Sequence, residues 1–139
     1  MKQTSKKGLK NQIGAYGEEI ARKYLENKGF KVLEQNYLKK WGEIDLVTRE
    51  TTKKGIKMHF IEVKAVSYET RSDLERAVSH GTWRPEENVH YKKIQRLNRA
   101  IESWIMENDY NGEWEIDVCS VRVVPREKYA EVTFIENIV

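Results

Sequence analysis

Two segments of this chain, GEIDLVTR (42–49) and KMHFIEVKAV (57–66), alternate like strands but carry apolar residues on both faces. Strands that are apolar on both sides are covered on both sides, so the fold must supply layers above and below a sheet. The polar link ETTKKGI joins the two segments and predicts a hairpin. Centring it between Lys53 and Lys54 fixes the register and places Asp45 opposite Glu62, Val47 opposite Phe60 and Leu46 opposite Ile61. The same register puts Ile44 opposite Val63, on the face of Leu46 and Ile61. Asp45, Glu62 and Lys64 then project from an otherwise buried sheet. A one-residue slip would part the two acids, so this inference depends on register.

The covering layers are legible on either side. Ile13, Ile20, Ala21, Tyr24 and Leu25 recur at helical spacing over 12–28, with Gly29 as the C′ residue. Gly14 and Gly17 weaken that helix and suggest close approach of a backbone or a ligand. Pro85 can open a long helix reaching about residue 108, with Ile94, Leu97, Ile101, Trp104 and Ile105 as its apolar stripe. A short helix is expected near SDLERAVSH, within an irregular stretch. FKVLEQNY (30–37), EIDVCSVRVV (115–124) and AEVTFIENIV (130–139) read as further strands. The order α-β-β-β-α-β-β predicts one α/β domain over residues 12–139, with a mixed sheet. Residues 1–11 read as a basic arm.

Composition narrows the classes. The 139 residues are 39% hydrophobic and 34% charged, ordinary for a folded domain of this length. No apolar run approaches the roughly 20 residues of a membrane helix. The N-terminus lacks the apolar core of a secretory signal. A single cysteine, Cys119, excludes an internal disulfide and a thiolate zinc cluster, so a cytoplasmic location is expected. The net charge of +3 is uneven, since residues 1–40 hold ten Lys or Arg against four Glu. Lys2, Lys6, Lys7 and Lys10 suit a polyanion, but taken alone they read better as a solvated, solubilising tail.

Two facing carboxylates in a half-buried site repel each other and lose hydration. A hard divalent cation resolves both problems, since Mg²⁺ takes one or two carboxylates with water and phosphate completing its shell. Such a centre activates water against a phosphodiester, and Lys64 could orient the water or stabilise developing charge. The competing reading is an Asp45–Lys64–Glu62 salt-bridge network. Glu18 lies with Ala21 and Leu25 on the apolar flank of the first helix, where it could reach the sheet as a further ligand; the alternative is an exposed helix acid like Glu19. Lys92, Lys93, Arg96 and Arg99 form a basic flank on the long helix, with Trp83 and Tyr91 near its start, as a phosphate-tracking surface would. His59, His80 and His90 have no zinc-site spacing. Trp41, Trp104 and Trp114 read as packing residues.

GAYGEEIARKYLENKGFKVLEQNY, then GEIDLV, then FIEVK, resembles the YraN-like family of small bacterial endonuclease-like proteins. That family belongs to the PD-(D/E)xK nucleases and is related to Holliday junction resolvases. NVHYKKIQRLNRAIESWI and EIDVCSV resemble its closing helix and strand. The resemblance implies a restriction-endonuclease-like three-layer core and a Mg²⁺- or Mn²⁺-dependent DNA endonuclease, with branched or junction DNA among its substrates. It implies Asp45, Glu62 and the Val63 carbonyl as metal ligands, Glu18 as the helix acid and Lys64 as the catalytic lysine. It places Lys93, with Lys92 beside it, near the substrate phosphate. Junction-cutting relatives are symmetric dimers, which makes a homodimer an expectation. Val66 stands where the family commonly has arginine, and residues 65–88 form a longer segment than usual. A non-catalytic nucleic-acid-binding module of the same fold, acting with a protein partner, is the alternative.

Overall fold

The computed structural model describes residues 6–79 and 91–139, with side chains from residue 12 onward. Helix α1 spans Lys6–Asn27, β1 Lys31–Lys39, β2 Gly42–Thr52 and β3 Gly55–Ser67. Helix α2 spans Arg71–Ser79, α3 Tyr91–Glu107, β4 Glu113–Val124 and β5 Tyr129–Ile135. The five strands form one sheet in chain order, antiparallel except for β3 and β4, which run parallel. The parallel pair needs a crossover, and α2 and α3 lie within it. This mixed sheet flanked by helices is the three-layer, restriction-endonuclease-like order expected from the sequence.

Each helix covers one face. On α3, Leu97, Ala100, Ile101 and Trp104 pack against Tyr37, Ile44, Val47, Met58, Phe60 and Ile116. On α1, Ala21 and Leu25 pack against Leu46, Ile61, Cys119, Val121 and Val123. Gly17 shows why α1 can come so close, since a Cβ there would lie 2.5 Å from the Ala65 Cβ. Gly14, by contrast, has nothing within 4 Å of such a Cβ among the described residues. The helix ends at Gly29, whose φ of +96° suits only glycine well, with Phe30 N–H donating to the Leu25 carbonyl at 3.0 Å. Thr70 caps α2 by accepting the Asp73 N–H at 3.1 Å.

Several boundaries differ from the sequence expectation. α1 starts six residues earlier, at Lys6, because KKGLKN contains enough helix formers to extend it. β5 stops at Ile135 rather than 139, since Asn137 turns to φ +53° and the Ile138 N–H bonds the Ile116 carbonyl instead. Pro85 lies outside the described residues. Among the described residues, no helix is long and apolar enough to cross a membrane.

Candidate active site

The hairpin forms in the expected register, from Thr52 opposite Gly55 to Leu46 opposite Ile61. One side chain was misplaced by simple alternation. Ile44 packs toward α3 with Val47 and Phe60, not on the α1 face with Leu46 and Ile61. The alternation breaks at Asp45, where the ladder ends. There the Asp45 carboxylate, rather than a main-chain carbonyl, accepts the Val63 N–H at 2.8 Å. The register of β1 on β2 sets Gln35 opposite Leu46 and Tyr37 opposite Ile44, so Asn36 lies across from Asp45. Asn36 has φ +52°, a left-handed turn that asparagine tolerates better than most residues. This paired irregularity frees Asp45 from the sheet pattern.

Four acids converge at that end of the sheet. Asp45 is 8% and Glu62 5% exposed. Burial first, then the neighbouring charge of Glu62, pushes the Asp45 carboxyl up to about 8, with Glu18 and Glu43 adding to the rise. Glu18, half-buried on α1, is also raised, chiefly by burial, although an Asn36 side-chain hydrogen bond opposes the shift. Two lysines face these acids. Lys93 Nζ lies 2.5 Å from Glu62 Oε1, while Lys64 Nζ is 3.9 Å from the same oxygen. Burial, then contact with Lys93, lowers the Lys64 ammonium. Desolvation opposes any rise at Lys93, yet its bonds to Glu62 and Lys64 outweigh that and raise it. The structure therefore brings Glu18, Asp45, Glu62, Lys64 and Lys93 together from four elements. It adds Asn36 and Glu43, which sequence reasoning missed. The one available signal was an asparagine inside a strand pattern, a residue that strands disfavour.

Arg96 shares a small cavity with Glu43, Glu62, Lys93 and Leu97. Gly42 sets that contact, since a Cβ there would strike the Arg96 carbonyl at 2.1 Å. Lys92 is exposed on α3. Trp104 is buried, while Trp114, at 41% exposure, packs edge-on against Phe60. Trp41, at 45% exposure, is pinned by its indole N–H to Ser103 Oγ at 3.0 Å. The side chains of Lys6, Lys7 and Lys10, and all of Trp83, His80 and His90, lie outside the described residues.

The donor set at Asp45 and Glu62 is all oxygen. It is buried, and burial together with the neighbouring Glu62 charge keeps the Asp45 carboxyl from ionising normally. Those are the properties that fit a hard cation such as Mg²⁺. A second group, His59, Glu115 and Asp117, can also coordinate a metal, with ligand atoms within 4.8 Å of one another. It uses other residues, nearer the start of β3. Spacing alone makes His59 a strand residue without zinc-site neighbours, because Glu115 and Asp117 come from a strand more than fifty residues away.

The chain matches the model of the uncharacterised protein family UPF0102 over residues 17–121. It belongs to that family. A UPF0102 protein of Beutenbergia cavernae is 41% identical over 113 residues, covering 81% of this chain and 83% of the relative. One from Campylobacter fetus is 33% identical over 134 residues, covering 94% and 97%. One from Alkaliphilus oremlandii is 33% identical over 134 residues, covering 93% and 98%. The family match begins at Gly17 and ends at Val121, so it contains Glu18, Asp45, Glu62, Lys64 and Lys93.

Proposed function

We propose that this UPF0102 chain is a YraN-like, PD-(D/E)xK-type endonuclease that hydrolyses DNA phosphodiester bonds in the cytoplasm with Mg²⁺ or Mn²⁺. The observation that carries the reading is the buried Asp45–Glu62 pair, with Asp45 released from the ladder and Lys64 on the same strand as Glu62. Asp45 and Glu62 would hold the cation, with the Val63 carbonyl and Glu18 as further oxygen donors. When bound, the cation supplies an acidified water and positive charge for the phosphate. Lys64, its ammonium acidified by burial, holds a proton donor beside the reacting phosphate and stabilises negative charge there. Lys93 and Arg96 bind and orient the backbone on the outer side of Glu62. Asn36 fixes Glu18, and Asp45 is fixed by the Val63 N–H, so the acids meet the cation without rearrangement.

One observation favours the second reading, a binding module without catalysis: Lys93 already neutralises Glu62 at 2.5 Å. A cleavage panel of linear, flapped and four-way DNA separates the two. The nuclease reading expects cleavage with Mg²⁺ or Mn²⁺ and none in EDTA. Binding without cleavage on every substrate would favour the module.

A further inference from the structure

Away from Asp45 and Glu62, toward the start of the parallel pair, three side chains on the α1 face turn toward one point. His59 of β3 stands opposite Glu115 of β4, and Asp117 follows two residues on. His59 Nδ1 lies 2.6 Å from Asp117 Oδ2 and 3.5 Å from Glu115 Oε2. The three residues are 2%, 0% and 8% exposed for His59, Asp117 and Glu115. Each has its outward atom held by a different group. His59 Nε2 lies 2.9 Å from Glu50 Oε1, Asp117 Oδ1 accepts the Asn137 N–H at 2.8 Å, and Glu115 Oε1 pairs with Lys57. The inward Glu115 Oε2 is buried and has no hydrogen-bond partner among the described residues. Phe30 stacks on the imidazole at 4.6 Å, closing the α1 side.

Three carboxylates, those of Glu50, Glu115 and Asp117, thus face one imidazole and Lys57. Even with the imidazole protonated, one negative charge is in excess. A divalent cation in place of the Nδ1 proton would leave the group neutral.

We propose that His59 Nδ1, Glu115 Oε2 and Asp117 Oδ2 form a divalent-metal site of the Zn²⁺ class, separate from the Asp45–Glu62 centre. One imidazole nitrogen with two carboxylate oxygens suits Zn²⁺ and disfavours Mg²⁺, which takes oxygen ligands. Tetrahedral bonds of about 2.0–2.1 Å set ligand atoms about 3.3 Å apart. The 3.5 Å spacing of Nδ1 and Oε2 already fits. The Nδ1–Oδ2 pair opens from 2.6 Å as the shared proton leaves to solvent. Glu50 on Nε2 is then the outer carboxylate that fixes the ring and raises its basicity. An open depression of about 340 Å³, lined by Lys57, Trp114, Glu115 and Asn137 among others, reaches the Glu115 side of the group and gives the ion a route. The bound ion would tie β3 to β4 and, through Asn137, to the C-terminal segment.

Titrating the metal-free full chain with Co²⁺ tests this, because tetrahedral Co²⁺ absorbs strongly in the visible and octahedral Co²⁺ does not. The expected result is one equivalent with the tetrahedral spectrum, displaced by Zn²⁺ and accompanied by proton release. Asp117→Asn and Glu115→Gln should abolish it, and Glu50→Gln should weaken binding about 10- to 100-fold. Asp45→Asn and Glu62→Gln should leave it intact, which separates this site from the proposed cleavage centre. No tetrahedral spectrum in the wild type would overturn the proposal, whatever the folding of the variants. So would a spectrum that survives Asp117→Asn and disappears in Glu62→Gln.

Discussion

Replacing Asp45 with asparagine should stabilise the metal-free protein, and increasingly so as pH rises. The Asp45 carboxyl titrates near 8 in the fold against 3.8 in the open chain. Between those values the folded chain keeps a proton that the unfolded chain has released. Stability from this group therefore falls as pH rises, by about 1.4 kcal/mol per pH unit. The cumulative cost reaches at most about 4 kcal/mol at pH 7 and about 1.5 kcal/mol at pH 5. The asparagine side chain would keep an oxygen for the Val63 N–H that Asp45 binds now, so the variant loses the penalty and not the bond. Urea unfolding in EDTA at pH 5, 6 and 7 measures the difference between the two proteins, in which other titrations cancel. The gap should widen with pH and favour the variant. Saturating Mg²⁺ should narrow or reverse the gap, since a ligand at a hundred times its dissociation constant adds about 2.7 kcal/mol to the wild type only. A variant less stable than wild type at every pH, by the ~3–5 kcal/mol of a broken buried pair, would refute the reasoning and restore the salt-bridge network.

Gly17→Ala should cost about 1–3 kcal/mol by driving a methyl into Ala65, and Ala65→Gly should recover part of it in a double-mutant cycle read by chemical denaturation. Additive losses would show that the helix simply shifts. Desolvation opposes protonation of the His59 imidazole, but its bonds to Asp117 and Glu50 outweigh that and raise it above 6.5. Its pairing therefore contributes fully below that value, and the contribution is lost as pH climbs through the raised pKa. His59→Gln should remove that loss from metal-free melts, and an unchanged pH profile would contradict the pairing. Lys93→Ala should lower kcat/KM on DNA by at least about tenfold while Lys92→Ala stays near wild type; equal effects would reduce α3 to an ordinary amphipathic helix. Removing residues 1–10 should flatten the salt dependence of binding by about 0.9 in slope for each phosphate that the arm neutralises, and an identical slope would leave the arm without a role in binding.

The hairpin was readable because its register follows from a short polar turn and from which residues are apolar. Gly29 and the α3 stripe were readable for similar local reasons. Asn36 was not, because a left-handed residue inside a strand leaves no period in the sequence. The same irregularity moved Ile44 to the other face. Glu43 enters the site beside Gly42, whose close approach to Arg96 joins segments more than fifty residues apart. The His59, Glu115 and Asp117 group depends on parallel pairing of β3 with β4, a long-range choice that spacing does not encode. Lys93 was singled out by resemblance and by its basic flank. Its ion pair with Glu62 joins the first turn of α3 to β3, a contact between distant segments that no local pattern encodes.

The most direct test of the cleavage centre compares wild type, Glu62→Gln and Lys64→Met under single-turnover conditions, on one DNA substrate at one Mg²⁺ concentration. Both variants should still bind the DNA, and both should lose at least about a hundredfold in the cleavage rate. Wild-type rates in Glu62→Gln, or cleavage that continues in EDTA, would contradict the assignment of Asp45, Glu62 and Lys64 as the reacting centre.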